Sequence, residues 1–158
     1  GATDSKLVDF QAGFEKTLTI QSALQSGAHL ITQAAGVQAS LMGVNYGAMV
    51  ADNEMIGAIL RANVSPEINI ETLALEAISD VVVGEGHFLG RPETYARMRS
   101  DFLYPKLADR SPIDEWRSTD RADMGQRAAL AARVVLENHW PSHGPAHIRK
   151  QYLRRFGI

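Results

Sequence analysis

The stretch Gly27-Ala28-His29-Leu30-Ile31-Thr32 sets the fold class of this chain. A short apolar run follows a glycine and ends before the small residues Ala34, Ala35 and Gly36. That is the pattern of a buried β-strand, predicted here over residues 28–32. A lone buried strand leaves its backbone donors and acceptors without partners. The strand is therefore expected to pair with strands outside these 158 residues, in a larger sheet, a barrel or a second chain. Ile31 is expected to be buried on it. Ile31→Asp is then expected to unfold or dissociate the chain, because an unpaired buried carboxylate is strongly destabilising.

Helical patterns surround the run. Residues 9–26 carry Phe10, Phe14, Leu18, Ile20 and Leu24 near helical spacing, and Gly27 is a natural stop. Residues 36–43 are small and turn-like. Asn45 is placed to cap a helix over residues 45–61, with Met49, Val50, Met55, Ile56, Ile59 and Leu60 on a broad apolar face. Ser65-Pro66 breaks the chain, and Asn69 caps a predicted helix over residues 70–83 that Gly84-Glu85-Gly86 ends. Pro92 suits the first turn of the next helix. Ser111-Pro112-Ile113-Asp114 reads as a capped start leading to Trp116. Residues 120–138 are Ala/Arg-rich and helical, with a stop at His139-Trp140-Pro141. Residues 145–156 form a last helix with Arg149, Lys150, Arg154 and Arg155 on a basic face. No repeat or long linker interrupts the chain, so residues 1–158 read as a single unit.

Composition narrows the function classes. With 45% hydrophobic and 22% charged residues, the chain can build a core. A net charge of −2 gives no electrostatic reason to expect nucleic acid or an anionic membrane. The absence of cysteine excludes disulfides, thiolate zinc sites and cysteine nucleophiles, and it fits a reducing, cytoplasmic compartment. No apolar stretch reaches the roughly 18 residues a bilayer span needs. The start has no signal-peptide pattern and no initiator Met, so a processed, truncated or cloned piece of a longer protein is expected.

Several segments together resemble the trimethylamine:corrinoid methyltransferase family. They are Gly1-Ala2-Thr3-Asp4-Ser5-Lys6, Gln11-Ala12-Gly13-Phe14-Glu15-Lys16, the 27–31 run, Asp52-Asn53-Glu54, Glu71-Thr72-Leu73-Ala74-Leu75, Gly86-His87-Phe88-Leu89-Gly90, Phe102-Leu103-Tyr104-Pro105-Lys106 and Asp109-Arg110. Their order and approximate spacing match along almost the whole chain. The resemblance implies an α/β fold: the C-terminal portion of a TIM (β/α)8-type barrel with a C-terminal helical extension. This portion is itself mostly helical, with one or two strands. Family members are roughly three times longer, so an N-terminal part and most barrel strands are expected elsewhere. The family moves a methyl group from a methylated amine to the cobalt of a corrinoid (cobalamin). A partner corrinoid protein carries that group, and the enzyme does not bind it tightly. Archaeal trimethylamine enzymes contain pyrrolysine, and many bacterial relatives act without it, including on glycine betaine. No pyrrolysine is present in this chain. The matching position can lie upstream of Gly1, but a non-pyrrolysine bacterial type and a quaternary substrate are preferred.

The resemblance, with barrel geometry, singles out six substrate-binding candidates. Asp4 and Lys6 fall in a loop after a barrel strand, where active sites are built; the rival reading is a helix entry with a capping Asp or Ser. Glu15 shares a helix face with Gln11 and suits a cation; the rival is a solvated face. Gln33, at the end of the predicted strand, is either a site residue or a turn amide. Tyr46 supplies an aromatic face for a quaternary ammonium. His87, in a Gly-flanked loop, serves the substrate or the docking of the corrinoid protein; the rival is a histidine satisfying helix ends. Asp52 and Glu54 are two apart and point to different sides, so one is expected in a helix–helix or subunit salt bridge. His139, His143 and His147 recur every four residues, but Pro141, Gly144 and Pro145 break the helix that would align them, so no metal site is expected.

Two functions follow. The first is transfer of a methyl group from a small tertiary or quaternary methylamine (trimethylamine or glycine betaine-like) to a corrinoid protein. The second is a catalytically incomplete fragment acting as a helical oligomerisation or scaffold module. A homo-oligomer or a missing N-terminal part is expected in either case.

Overall fold

The computed structural model describes residues 1–84, 86–139 and 144–157. Glu85, Trp140, Pro141 and His143, which entered the predicted helix stops and the histidine series, lie outside the described residues, as does the Arg149 side chain of the basic face.

Helix α1 (Phe10–Gln25) begins where Asp9 accepts the Ala12 N–H at 2.9 Å. It ends in a Schellman turn: the Gly27 N–H reaches the Leu24 carbonyl and the Ala28 N–H that of Ala23, with Gly27 at φ +80°. The two strands β1 (Val37–Gln38) and β2 (Gly43–Val44) then form a short antiparallel ladder. Helix α2 (Tyr46–Ala62) starts at Asn45, whose side chain accepts the Ala48 N–H at 2.9 Å. Short helices follow: α3 (Ile70–Leu73), α4 (Leu75–Val83), α5 (Pro92–Ser100) and α6 (Ile113–Ser118). Two more complete the order, α7 (Met124–Asn138) and α8 (Ala146–Phe156).

The principal packing is α2 against α7, and α1 also packs on α2. Small residues allow the close approach of α2 and α7. Ala48, Ala51, Ala128 and Ala132 are buried, and Leu107 completes a core with Ala51 and Ala128. A Cβ on Gly47 would stand 3.2 Å from the Ala129 Cα and 3.1 Å from the Asn45 Oδ1. The far ends of α1 and α2 are tied by a reciprocal amide pair. Asn63 Nδ2 donates to Gln21 Oε1 at 2.9 Å, and Gln21 Nε2 donates to Asn63 Oδ1 at 3.2 Å.

Helices α1, α2 and α8 lie close to their predicted spans and α5 starts at Pro92, but several expectations are corrected. Residues 28–32 form no strand. Leu30 is 81% exposed and Ile31 only half-buried, because no ladder partner lies beside the run among the described residues. The stability argument for Ile31 therefore fails with the strand. The ladder forms instead in the stretch expected to be a turn. The helix expected over residues 70–83 is split at Ala74, which sits at φ 49°. Ser111 does not cap α6; its hydroxyl donates to the Asp109 carboxylate at 2.6 Å. Helix α7 starts four residues later than expected, at a capping box in which Asp123 and Gln126 each accept the other's N–H.

Much apolar surface is left uncovered. The accessible area is 12,452 Å2, whereas a folded monomer of 17.3 kDa exposes about 7,800 Å2. Phe10 is 88% exposed, and Phe14, Leu18, Met42 and Val83 are also exposed.

The helix packing makes a direct prediction. Gly47→Val should destabilise the chain by about 1–3 kcal/mol, because the added carbons meet α7 backbone rather than a flexible side chain. Gly57→Ala, whose Cβ meets nothing within 4 Å on the same helix, should stabilise it by about 0.5–1 kcal/mol. Urea denaturation of both variants checks the pair, and equal shifts would contradict the α2–α7 contact.

Candidate functional site

Residues 1–8 lie against the hairpin, and backbone bonds stitch the two together. The Ala39 N–H donates to the Ser5 carbonyl at 2.9 Å, and the Ser40 N–H to the Thr3 carbonyl at 3.2 Å. The buried Gln38 side chain donates to the Leu7 carbonyl at 2.7 Å. The turn at this junction is strained: Ala39, Ser40 and Leu41 have φ of 51°, 54° and 73°.

Glu15 anchors this junction from α1. Its carboxylate accepts the Thr3 hydroxyl at 2.5 Å, the Asp4 N–H at 2.9 Å and the Gln11 amide at 2.7 Å. The Thr3 bond, then the Gln11 and Asp4 bonds, hold its pKa below the ordinary glutamate value, with a smaller contribution from the Lys6 charge. The half-exposed Glu15 carboxylate thus ties α1 to the 1–6 segment. Asp4 has its carboxylate at the surface, where it accepts the Ser40 hydroxyl at 2.7 Å. Asp4, Lys6 and Glu15 are therefore brought together at one junction.

Tyr46 and His87 lie apart from that junction by any described contact, and Gln33 sits in the loop whose Ala34 backbone abuts Gly1. Gln33 is exposed, with φ 57°, in a loop rather than at a strand end. Tyr46 opens α2 and is 61% exposed, beside a shallow hollow with Arg133 and Glu137. His87 is exposed beyond α4 and makes no hydrogen bond among the described residues. The end of α4 is satisfied without it, through Gly84 N–H to Asp80 and Gly86 N–H to Val81.

The residues with the most elaborate surroundings were not among the six. Lys16 is wholly buried on α1 and pairs with the buried Asp52 of α2. The same Asp52 oxygen accepts the Gly36 N–H at 2.7 Å. Lys16 stands four residues from each of Ala12 and Ile20, the two other buried residues of α1, and that cation on a buried helix face is a readable sequence signal. Glu54 points the other way, as its spacing from Asp52 requires. It accepts the N–H groups of Lys106, Leu107 and Ala108 at 2.6, 2.7 and 2.8 Å. Arg127 holds the same segment by its carbonyl, donating to Leu107 at 2.6 Å.

A hollow of about 880 Å3 runs along α1, α2 and the start of α7, lined by Phe10, Phe14, Leu18, Met55 and Met124. The Phe10 and Phe14 rings stack with centroids 6.4 Å apart. Its three carboxylates are already committed: Asp9 and Asp123 to helix N-termini, Asp52 to Lys16 and Gly36. The hollow therefore presents apolar and aromatic surface with no uncommitted carboxylate among the described residues that line it. Among the described residues no group of three histidine, cysteine or acidic side chains is arranged to hold a metal, and no helix is long and apolar enough to cross a membrane.

The sequence model of the trimethylamine methyltransferase (MTTB) family matches residues 1–156, and the chain belongs to that family. It is 31% identical over 141 residues to the glycine betaine methyltransferase of Desulfitobacterium hafniense (strain Y51), covering 89% of this chain and 29% of that protein. It is 36% identical over 148 residues to the trimethylamine methyltransferase MttB of Desulfitobacterium hafniense (strain DSM 10664 / DCB-2), covering 94% and 29%. It is 33% identical over 138 residues to the trimethylamine methyltransferase MttB2 of Methanosarcina mazei, covering 87% and 27%. The chain thus spans less than a third of the length of these curated relatives.

Glu54 supplies the prediction of this site. Burial raises its pKa, but the Leu107, Ala108 and Lys106 amides, with Arg127, outweigh that and leave it below the ordinary glutamate value. A lowered folded pKa contributes stability above the unfolded value, near 4.3, which is lost as pH falls through the folded value. Glu54→Gln should cost about 1–3 kcal/mol at pH 7, since its amide turns a donor toward backbone N–H groups. It should also flatten the loss of stability below about pH 4. Denaturant titrations at pH 7 and pH 3 measure both effects; an unchanged acid slope would contradict the assignment.

Proposed function

We propose that the protein carrying this chain transfers a methyl group from a tertiary or quaternary methylamine, trimethylamine or a glycine betaine-like compound, to the cobalt of a corrinoid held by a partner protein. The family match across residues 1–156 carries this reading, together with relatives named for trimethylamine and glycine betaine. The C-terminal portion of a (β/α)8-type barrel and a cytoplasmic setting go with it. The length of the relatives and the uncovered apolar hollow favour a site completed by further polypeptide, either an N-terminal part or another copy.

In the reaction the bond between nitrogen and the methyl carbon breaks and the bond between that carbon and cobalt forms. The reduced corrinoid, as methyl acceptor, supplies the electron pair, so the chain need not contribute a nucleophile. A quaternary amine leaves as a neutral amine, which favours a quaternary substrate. The chain's own task is to hold the methyl carbon in line and to displace water from the cation. Asp4 is the exposed carboxylate for that cation, fixed by the Glu15 and Ser40 bonds. Lys6 suits a substrate carboxylate, Tyr46 an aromatic wall, and Gln33 and His87 hydrogen bonds to substrate or partner.

The reading is tested by mixing the protein with reduced cobalamin and either trimethylamine or glycine betaine, and following methylcobalamin absorbance. Methylation from one of these amines is expected; demethylation of no tertiary or quaternary amine would overturn it. His87→Ala should lower methyl transfer about tenfold. Because no described hydrogen bond depends on His87, its stability should stay within about 0.5 kcal/mol of the parent. Lost stability with unchanged turnover would remove His87 from the site.

A further inference from the structure

Two loops carry candidate residues, and adjacent residues of α1 hold both. Glu15 fixes Thr3 and Asp4. Lys16, through Asp52, reaches Gly36. The Gly36 peptide is gripped on both sides by α2. Its N–H donates to Asp52 at 2.7 Å, and its carbonyl accepts the Asn45 N–H at 2.9 Å. Only glycine suits this position: φ is +78°, and a Cβ would lie 3.2 Å from both the Asn45 carbonyl oxygen and the Met49 Cβ. The loop also presses on the start of the chain, where a Cβ on Gly1 would stand 2.7 Å from the Ala34 Cα. Gln33, three residues before Gly36, is exposed and held at φ 57°.

A buried ion pair is a poor device for stability alone. Apolar residues of similar volume are often as stabilising, because two charges must lose their water. The Lys16–Asp52 pair does what apolar residues do not: it presents a fixed acceptor to the Gly36 N–H. We propose that Lys16 and Asp52 are positioning residues which set the 33–36 loop, and with it Gln33 and the adjoining 1–6 segment, for amine binding. This rests on the methyltransferase reading above. Neither residue touches substrate; Asp52 acts through Gly36, and Lys16 acts through Asp52.

The test uses paired double variants of the native protein that carries this chain. Lys16→Met/Asp52→Asn removes both charges but keeps an oxygen acceptor for Gly36. Lys16→Met/Asp52→Leu removes the acceptor as well, and Lys16→Met/Asp52→Ala serves in its place if the leucine variant does not fold. Two quantities are read: hydrogen exchange at the Gly36 amide, and KM against kcat for the amine. The asparagine variant should keep both near the parent values. The acceptor-free variant should lose Gly36 protection and raise KM about tenfold with a smaller change in kcat. Equal KM values in the two variants, or equal Gly36 exchange, would overturn the proposal. If the parent protein demethylates no amine, the methyltransferase reading fails and the positioning role falls with it. The exchange comparison then still reports separately on whether Asp52 anchors Gly36.

Discussion

One carboxylate ties together the parts of this chain that come from distant stretches of sequence. Asp52, buried on α2, neutralises the buried Lys16 of α1 and receives the Gly36 N–H from the loop between them. Removing either charge alone would leave the other buried and unpaired, a severe penalty in a low-dielectric interior. The helix that carries Asp52 is also fixed by its small-residue contact with α7. Two residues beyond Asp52, Glu54 gathers three backbone amides of residues 106–108. Helix α2 therefore holds both the Gly36 loop and the 106–108 segment.

The polar interior and the apolar exterior of this structure contrast sharply. Inside, Lys16 pairs with Asp52, which also receives the Gly36 N–H. Outside, aromatic and aliphatic side chains of α1 line a hollow that no described residue fills. Apolar area of this extent is stabilised when another surface covers it. That fits a family whose curated members are more than three times as long as the matched segment. The loops bearing Asp4 and Gln33 are anchored within the chain by Glu15, Ser40 and Asp52.

The helices were legible because local signals specified them. Asp9 and Asn45 stand where caps belong, Gly27 where a helix stops, and Pro92 at a first turn. The start of α7 was misplaced although its own signal is present: Asp123 and Gln126 have capping-box spacing, which outranks the earlier Asp120. The strand reading of residues 28–32 failed because an apolar run specifies a strand only when a neighbouring strand accepts its backbone bonds. Candidate residues were legible as exposed polar groups near loops, but their partners were not. Glu15 is committed to Thr3, Asp4 and Gln11, a fact set by tertiary contacts that no periodicity reveals. Lys16 carried a weak sequence signal, as a cation on the Ala12 and Ile20 face, while Asp52 and Gly36 became meaningful only with the fold in view.

The account turns on whether the apolar face of α1 and α2 is covered by other polypeptide. Sedimentation of the isolated 158-residue chain, with a dye that fluoresces on exposed apolar surface, tests this directly. The account predicts either self-association or strong dye binding, relieved when the remaining polypeptide of the native protein is supplied. A monodisperse 17.3 kDa species that unfolds cooperatively and binds no dye would contradict it.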